Sequence, residues 1–158
     1  MKENLKEIKP GIGLGVLQFG FTQDVVRELL GEPDEIELDE FEEPSEDNQS
    51  ITWHYDELDI SIGFEKEYQW RLSTISVTDA FYQIAGEALI GMDEKGLMKK
   101  LSGLKIEDLV AIDQEDLDEE QELLISEKSS LFFWLEAGQL LEIQFSPIFD
   151  ENDQPIWP

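Results

Sequence analysis

The feature that most restricts the fold of this chain is a self-similarity that survives a shift of 71 residues. The shift lays Gly15 on Gly86, Gly20 on Gly91, Thr22 on Asp93, Val26 on Leu97 and Leu30 on Leu101. A fixed internal period means that one supersecondary unit is used more than once, so a local reading has to hold at two places. The first copy opens with FGFTQDVVRELLGEPDEI, which reads as a short helix with both ends marked. Thr22 can accept a hydrogen bond from a first-turn amide, Asp24 puts negative charge at the positive end of the helix dipole, and Gly31 with Pro33 closes the far end. Val25, Val26, Leu29 and Leu30 form one apolar stripe, and Asp93 stands where Thr22 does as the cap of a second helix.

The same shift places Ile60, Ile62, Phe64 and Glu65 of LDISIGFE on Leu131, Phe133, Leu135 and Glu136 of SLFFWLE. Both runs alternate as half-buried strands do. Beyond them the first copy has a longer turn, so Ile75 and Val77 match Ile143 and Phe145; turns are where length changes are tolerated. Each copy thus reads as an approach segment, a short helix, an acidic loop and an antiparallel sheet of about three strands. The expected class is α+β, built of two tandem repeats at residues 1–78 and 79–158.

Among the 158 residues, 38 acids stand against 11 bases, a net charge of −27. Such a charge alone would suggest disorder, but 41% hydrophobic content with nine Phe, four Trp and three Tyr supplies a core. The acidic runs EPDEIELDEFEEPSED and IEDLVAIDQEDLDEEQE occupy matching places. They are either solvated connections or displayed loops, and in the second reading Asp116, Asp118, Glu119 and Glu120 are candidate partner-binding charges. Coulomb repulsion argues against direct nucleic-acid or anionic-membrane partners and favours a basic protein. The absence of cysteine excludes disulfides, thiolate metal sites and cysteine nucleophiles. The start MKENLKEIKPGIGLG has no apolar secretion core, and no apolar run approaches the roughly 18 residues of a membrane span, so a cytoplasmic placement is expected.

Candidate catalytic groups are few. His54, in ITWHYD, alternates to the face opposite Ile51, Trp53 and Tyr55 and reads as a solvent-facing strand histidine rather than a general base. No G-x-S-x-G elbow is present. The glycines of GIGLG are not followed directly by a helix start or by the Lys of a phosphate loop. DQEDLDEE and DENDQP lack the turn glycine and closing glutamate of a calcium loop. The expectation is no enzyme, no cofactor and no dedicated metal site.

What remains is surface. If Leu131, Phe133 and Leu135 face the helix, Phe132 and Trp134 point to the opposite side. In the first copy Trp70 and Leu72 fall on that outer side if Ile75 and Val77 face the core. An aromatic sheet face with an acidic rim suits a protein partner; the alternative is that these residues pack under the tail SPIFDENDQPIWP or in a dimer, the oligomeric state being open.

The pattern GIGLGVLQFGFTQDVVRELLGEPDEI followed by strands, given twice, resembles the helix-then-sheet repeat of the β-lactamase inhibitor protein and of the outer-membrane lipoproteins of barrel assembly. It is similar as well to openings found in uncharacterised bacterial and immunity-type proteins. The resemblance implies two modules whose sheets join into one curved sheet, with helices on one face and a concave opposite face that grips a partner. The lipoprotein anchor and the inhibitor's disulfides do not carry over to a chain without cysteine. The expected function is a non-enzymatic acidic protein-binding module, foremost an immunity protein or inhibitor of a basic toxin; the alternatives are a nucleic-acid mimic and a structural or regulatory domain.

Overall fold

The computed structural model describes residues 2–39, 49–112 and 120–158. Two short helices, α1 (Gln23–Leu30) and α2 (Glu94–Gly103), lie against a sheet of eight strands. The strands are β1 (Glu35–Asp39), β2 (Ser50–Tyr55), β3 (Ile60–Glu65), β4 (Arg71–Val77), β5 (Leu109–Ala111), β6 (Gln121–Ser126), β7 (Leu131–Glu136) and β8 (Gln139–Phe145). All pairs are antiparallel, in the order β5-β6-β7-β8-β4-β3-β2-β1. A second, five-stranded sheet of very short strands joins Glu7–Lys9, Gly13–Leu14 and Leu17–Gln18 to Gln83–Ile84 and Glu87–Ala88. Its one parallel contact sets Ile8 beside Ile84.

The helix ends form as their residues dictate. The Thr22 hydroxyl accepts from the Val25 amide at 3.4 Å, and the Asp93 carboxylate accepts from the Gly96 amide at 2.7 Å. Gly31 ends α1 with positive φ, its N–H donating to the Arg27 carbonyl at 2.8 Å. The Tyr55 hydroxyl donates to the Gly31 carbonyl at 2.9 Å, tying the end of α1 to β2, and burial pushes that phenol up to about 12. Val26, Leu30, Leu97 and Leu101 fill the space between the helices and the inner sheet face, where they join Ile60, Ile62, Phe64, Leu131, Phe133 and Leu135 in one core. Trp53 packs on Phe64 with ring centroids 4.7 Å apart, and Phe19 meets Phe145 edge-on at 6.0 Å. At Gly15 a side chain would overlap the Asn4 carbonyl, and φ is +54°, so only glycine fits that turn.

The fold class expected from the sequence is corrected by this topology. The molecule is mostly β, with helices of only 8 and 10 residues against an eight-stranded sheet and a further five-stranded one. It is not a pair of helix-plus-three-strand units. Two causes account for the difference. β1 and β5 lie inside the acidic runs read as loops, because Glu35 and Glu37 hide the alternation of Ile36 and Leu38 at a sheet edge. The glycine-rich approach segments, in turn, carry strands too short for any periodicity to register.

Candidate functional site

The outer face of the large sheet is where the sequence placed its partner-binding residues, and the strand register shows what stands there. One transverse row crosses all eight strands. Its first half is apolar: Val110 on β5, Ile125 on β6 and Phe132 on β7 lie side by side. Its second half is polar: Gln144 on β8, Ser76 on β4, Ser61 on β3, His54 on β2 and Glu35 on β1.

The apolar half continues next to that row. Trp134 lies directly across from Leu123 on one side and from Glu142 on the other. Its indole Nε1–H donates to the Gln144 side-chain carbonyl at 3.4 Å. Phe132, Trp134 and Ile125 are half-buried, whereas Val110 is 58% exposed, Ile112 39% and Leu141 45%. A shallow hollow of about 260 Å³ beside the indole is lined by Gln121, Glu136, Leu141 and Glu142. Phe132 and Trp134 are therefore on the outer side, neither of them in the core.

The first-half candidates fare differently. Leu72 is fully buried and belongs to the core, which corrects its assignment to the outer face. The cause is a register shift between Gly63 and Phe64 that sets Leu72 opposite Phe64 instead of leaving it in outward phase. The Leu72 backbone is also clamped from within, its N–H donating to the Phe21 carbonyl at 2.8 Å and its carbonyl accepting from Gly20 at 2.9 Å. Trp70 sits before β4 in a turn with φ +59° and packs against the core edge rather than standing on the strand. Glu120 is exposed, its carbonyl accepting from the Ala137 amide at 2.8 Å; Asp116, Asp118 and Glu119 lie outside the described residues.

His54 is on the outer face, as its alternation requires, but with partners that strand periodicity could not reveal. Nδ1 is hydrogen-bonded to the Ser61 hydroxyl at 2.7 Å and Nε2 to the Glu37 carboxylate at 3.0 Å. Serine, histidine and acid in line suggest nucleophilic chemistry at first sight. However, Ser61 sits mid-sheet with His54 and Ser76 paired on either side, so the surrounding backbone amides belong to the ladders and no pair of them converges on Oγ as an oxyanion site would need. The arrangement fixes the imidazole between two strands. Among the described residues no group of three metal-ligating side chains comes together.

No known family model matches the chain, and no characterised protein matches its sequence. Among solved structures, the chain is similar to an extracellular protein containing a SCP domain from Bacillus anthracis str. Ames, at 16% identity and a TM-score of 0.47, over 81% of this chain and 43% of that one. This chain thus spans less than half the length of that protein, and a likeness at this level carries no argument about activity. That protein is extracellular; the cytoplasmic placement expected from the sequence is withdrawn and no compartment is assigned. Among the described residues no helix is long and apolar enough to cross a membrane.

Proposed function

We propose that the chain is a non-enzymatic, acidic protein-binding module whose outer sheet face takes a basic protein partner. The observation that carries this reading is the apolar half of that face: Ile125, Phe132 and Trp134, flanked by exposed Val110, Ile112 and Leu141, with Glu136 and Glu142 at its margin. Aromatic groups half-embedded in a rigid sheet are efficient anchors, because little side-chain freedom remains to be lost on binding. The net charge of −27 accelerates encounter with a cationic partner. An inhibitor or immunity protein of a basic toxin is the leading version, and it draws on the resemblance to the β-lactamase inhibitor protein.

The test is isolation of the partner from the source cells, followed by binding kinetics for the parent, Trp134→Ala and Glu142→Lys at low and high salt. Support is faster dissociation for Trp134→Ala and slower, salt-sensitive association for Glu142→Lys. Affinity that ignores Trp134 and collapses with salt would replace this reading with a nucleic-acid mimic.

A further inference from the structure

Beside the aromatic half of the outer face lies a hollow that the sequence did not announce. The strand ISIGFE sends Ser61, Gly63 and Glu65 outward, and the adjoining strands contribute Thr74 and Ser76 from β4. These groups are small, and Gly63 carries no side chain at all. A Cβ there would stand 3.2 Å from the Thr74 Cβ, so the floor is bare where other positions would be filled. The result is a cavity of about 280 Å³, lined largely by hydroxyl-bearing residues, with Glu65 also in its lining.

Glu65 is the unusual member. Its cross-strand neighbour is Arg71, the natural ion-pair partner in that register. Yet the Arg71 guanidinium is turned away and stands over the Trp157 ring at 5.8 Å. Among the described residues no Lys, Arg or His lies within 4.0 Å of the Glu65 carboxylate, whereas the Glu87 carboxylate is met by Lys100 at 3.2 Å. Burial first, and then the charge of Glu67, hold the Glu65 carboxyl above its ordinary value. A half-buried carboxylate without a cation bears a desolvation cost that an incoming positive group would offset.

We infer that this hollow receives one lysine or arginine side chain of the basic partner, its stem lying over Gly63 and its charged end meeting Glu65. The inference rests on the protein-binding reading and names the chemistry of that same face. A cation is favoured over an anion because the lining offers a carboxylate and hydroxyl oxygens in a chain of net charge −27. A long side chain is favoured over a metal ion because Glu65 is the only carboxylate among the described residues of the lining. The position fits as well. Ser76 in the wall is next to Gln144, which neighbours Phe132 in the transverse row, so a partner seated on the aromatic half can reach the hollow.

The test uses amide chemical shifts of the full chain titrated with the tripeptides Gly-Lys-Gly and Gly-Arg-Gly, with Gly-norleucine-Gly as the uncharged control and calcium chloride as the metal arm. The expected result is saturable shifts at Gly63, Glu65 and Thr74 with at least one basic tripeptide and none with norleucine. Glu65→Gln, which keeps the shape, should weaken that response about tenfold, the loss of one charge-assisted contact. Ser76→Leu fills the hollow and should remove the response while Glu65 remains; its amide spectrum reports whether the fold is kept. Shifts spread over the acidic surface without saturation, indifference to Glu65→Gln, or saturable calcium binding in place of the peptides would each overturn the inference. If the tripeptides fail while Trp134→Ala still weakens the isolated partner, this inference falls alone; if Trp134→Ala has no effect, the protein-binding reading falls with it.

Discussion

Trp134 and Gln144 are joined diagonally across β7 and β8, the indole N–H donating to the side-chain carbonyl at 3.4 Å. The bond fixes the polar edge of an indole that is half-buried on the outer side of the sheet. Trp134→Ala should therefore keep the fold and cost on the order of 2 kcal/mol or more of partner binding. Equilibrium denaturation alongside binding separates the two effects. An unfolded Trp134→Ala protein would show the ring to be core.

Leu72 makes the opposite case. It was expected on the same outer face but is fully buried against the inner layer. Leu72→Ala should cost about 2–5 kcal/mol of folding stability, the range for truncating a core leucine. A urea midpoint unchanged from the parent would place the side chain at the surface.

The two helix caps differ in geometry. Asp93 accepts at 2.7 Å and carries charge, whereas Thr22 accepts at 3.4 Å. Asp93→Ala should cost about 1 kcal/mol, and Thr22→Ala less. Chemical denaturation of both variants at one pH orders them; a larger loss at Thr22 would contradict the geometry.

Two carboxyl groups should move stability with pH in opposite senses. Burial, followed by the charge and hydrogen bond of Glu94, holds Glu122 above its ordinary value, so its contribution is present in acid and lost as pH rises through the raised value. Glu122→Gln should stabilise the protein at neutral pH and bring no gain in acid. Asp108 is held below its ordinary value by the Lys128 amide at 3.0 Å and the Ser126 hydroxyl at 2.7 Å. Its contribution is present at neutral pH and lost as pH falls through the lowered value, so Asp108→Ala should destabilise at neutral pH and converge with the parent in strong acid. Denaturation midpoints across the acid range read both.

His54 bridges Ser61 and Glu37 at a partly exposed site. Exposed pairs contribute at most about 1 kcal/mol, so His54→Ala should shift the denaturation midpoint only slightly and leave Trp134-dependent binding in place. Loss of a measured turnover on that substitution would overturn the non-enzymatic reading.

Helix α1 and the strands β3 and β7 were legible because each announces itself locally: Thr22, Gly31 and Pro33 as punctuation, and Ile60-Ile62-Phe64 and Leu131-Phe133-Leu135 as strict alternation. Phe132 and Trp134 followed from that alternation alone. Leu72 did not, because a shifted register changes facing without changing composition. β1 was masked by its own charge, with Ile36 and Leu38 still 55% and 57% exposed at the edge. The Glu37 partner of His54 was hidden for the same reason, since it comes from that strand. The bare floor at Gly63 and the turned Arg71 depend on which strands become neighbours, and local pattern does not encode that.

The ladder between β8 and β4 has only three residue pairs among the described residues, from Ile143–Val77 to Phe145–Ile75, as few as the edge ladder between β5 and β6, and it is the one that joins strands far apart in the chain. Within β1–β4 and within β5–β8, each ladder joins strands consecutive in the chain, whereas this one waits for loop closure across some seventy residues, a delay of the kind that slows β-rich folding. Until it closes, two four-stranded halves each present a raw edge with the apolar rows Ile75-Val77 and Ile143-Phe145. Those edges are as complementary between two chains as within one, so refolding at high concentration should divert material into exchanged dimers, and dilution should recover the monomer.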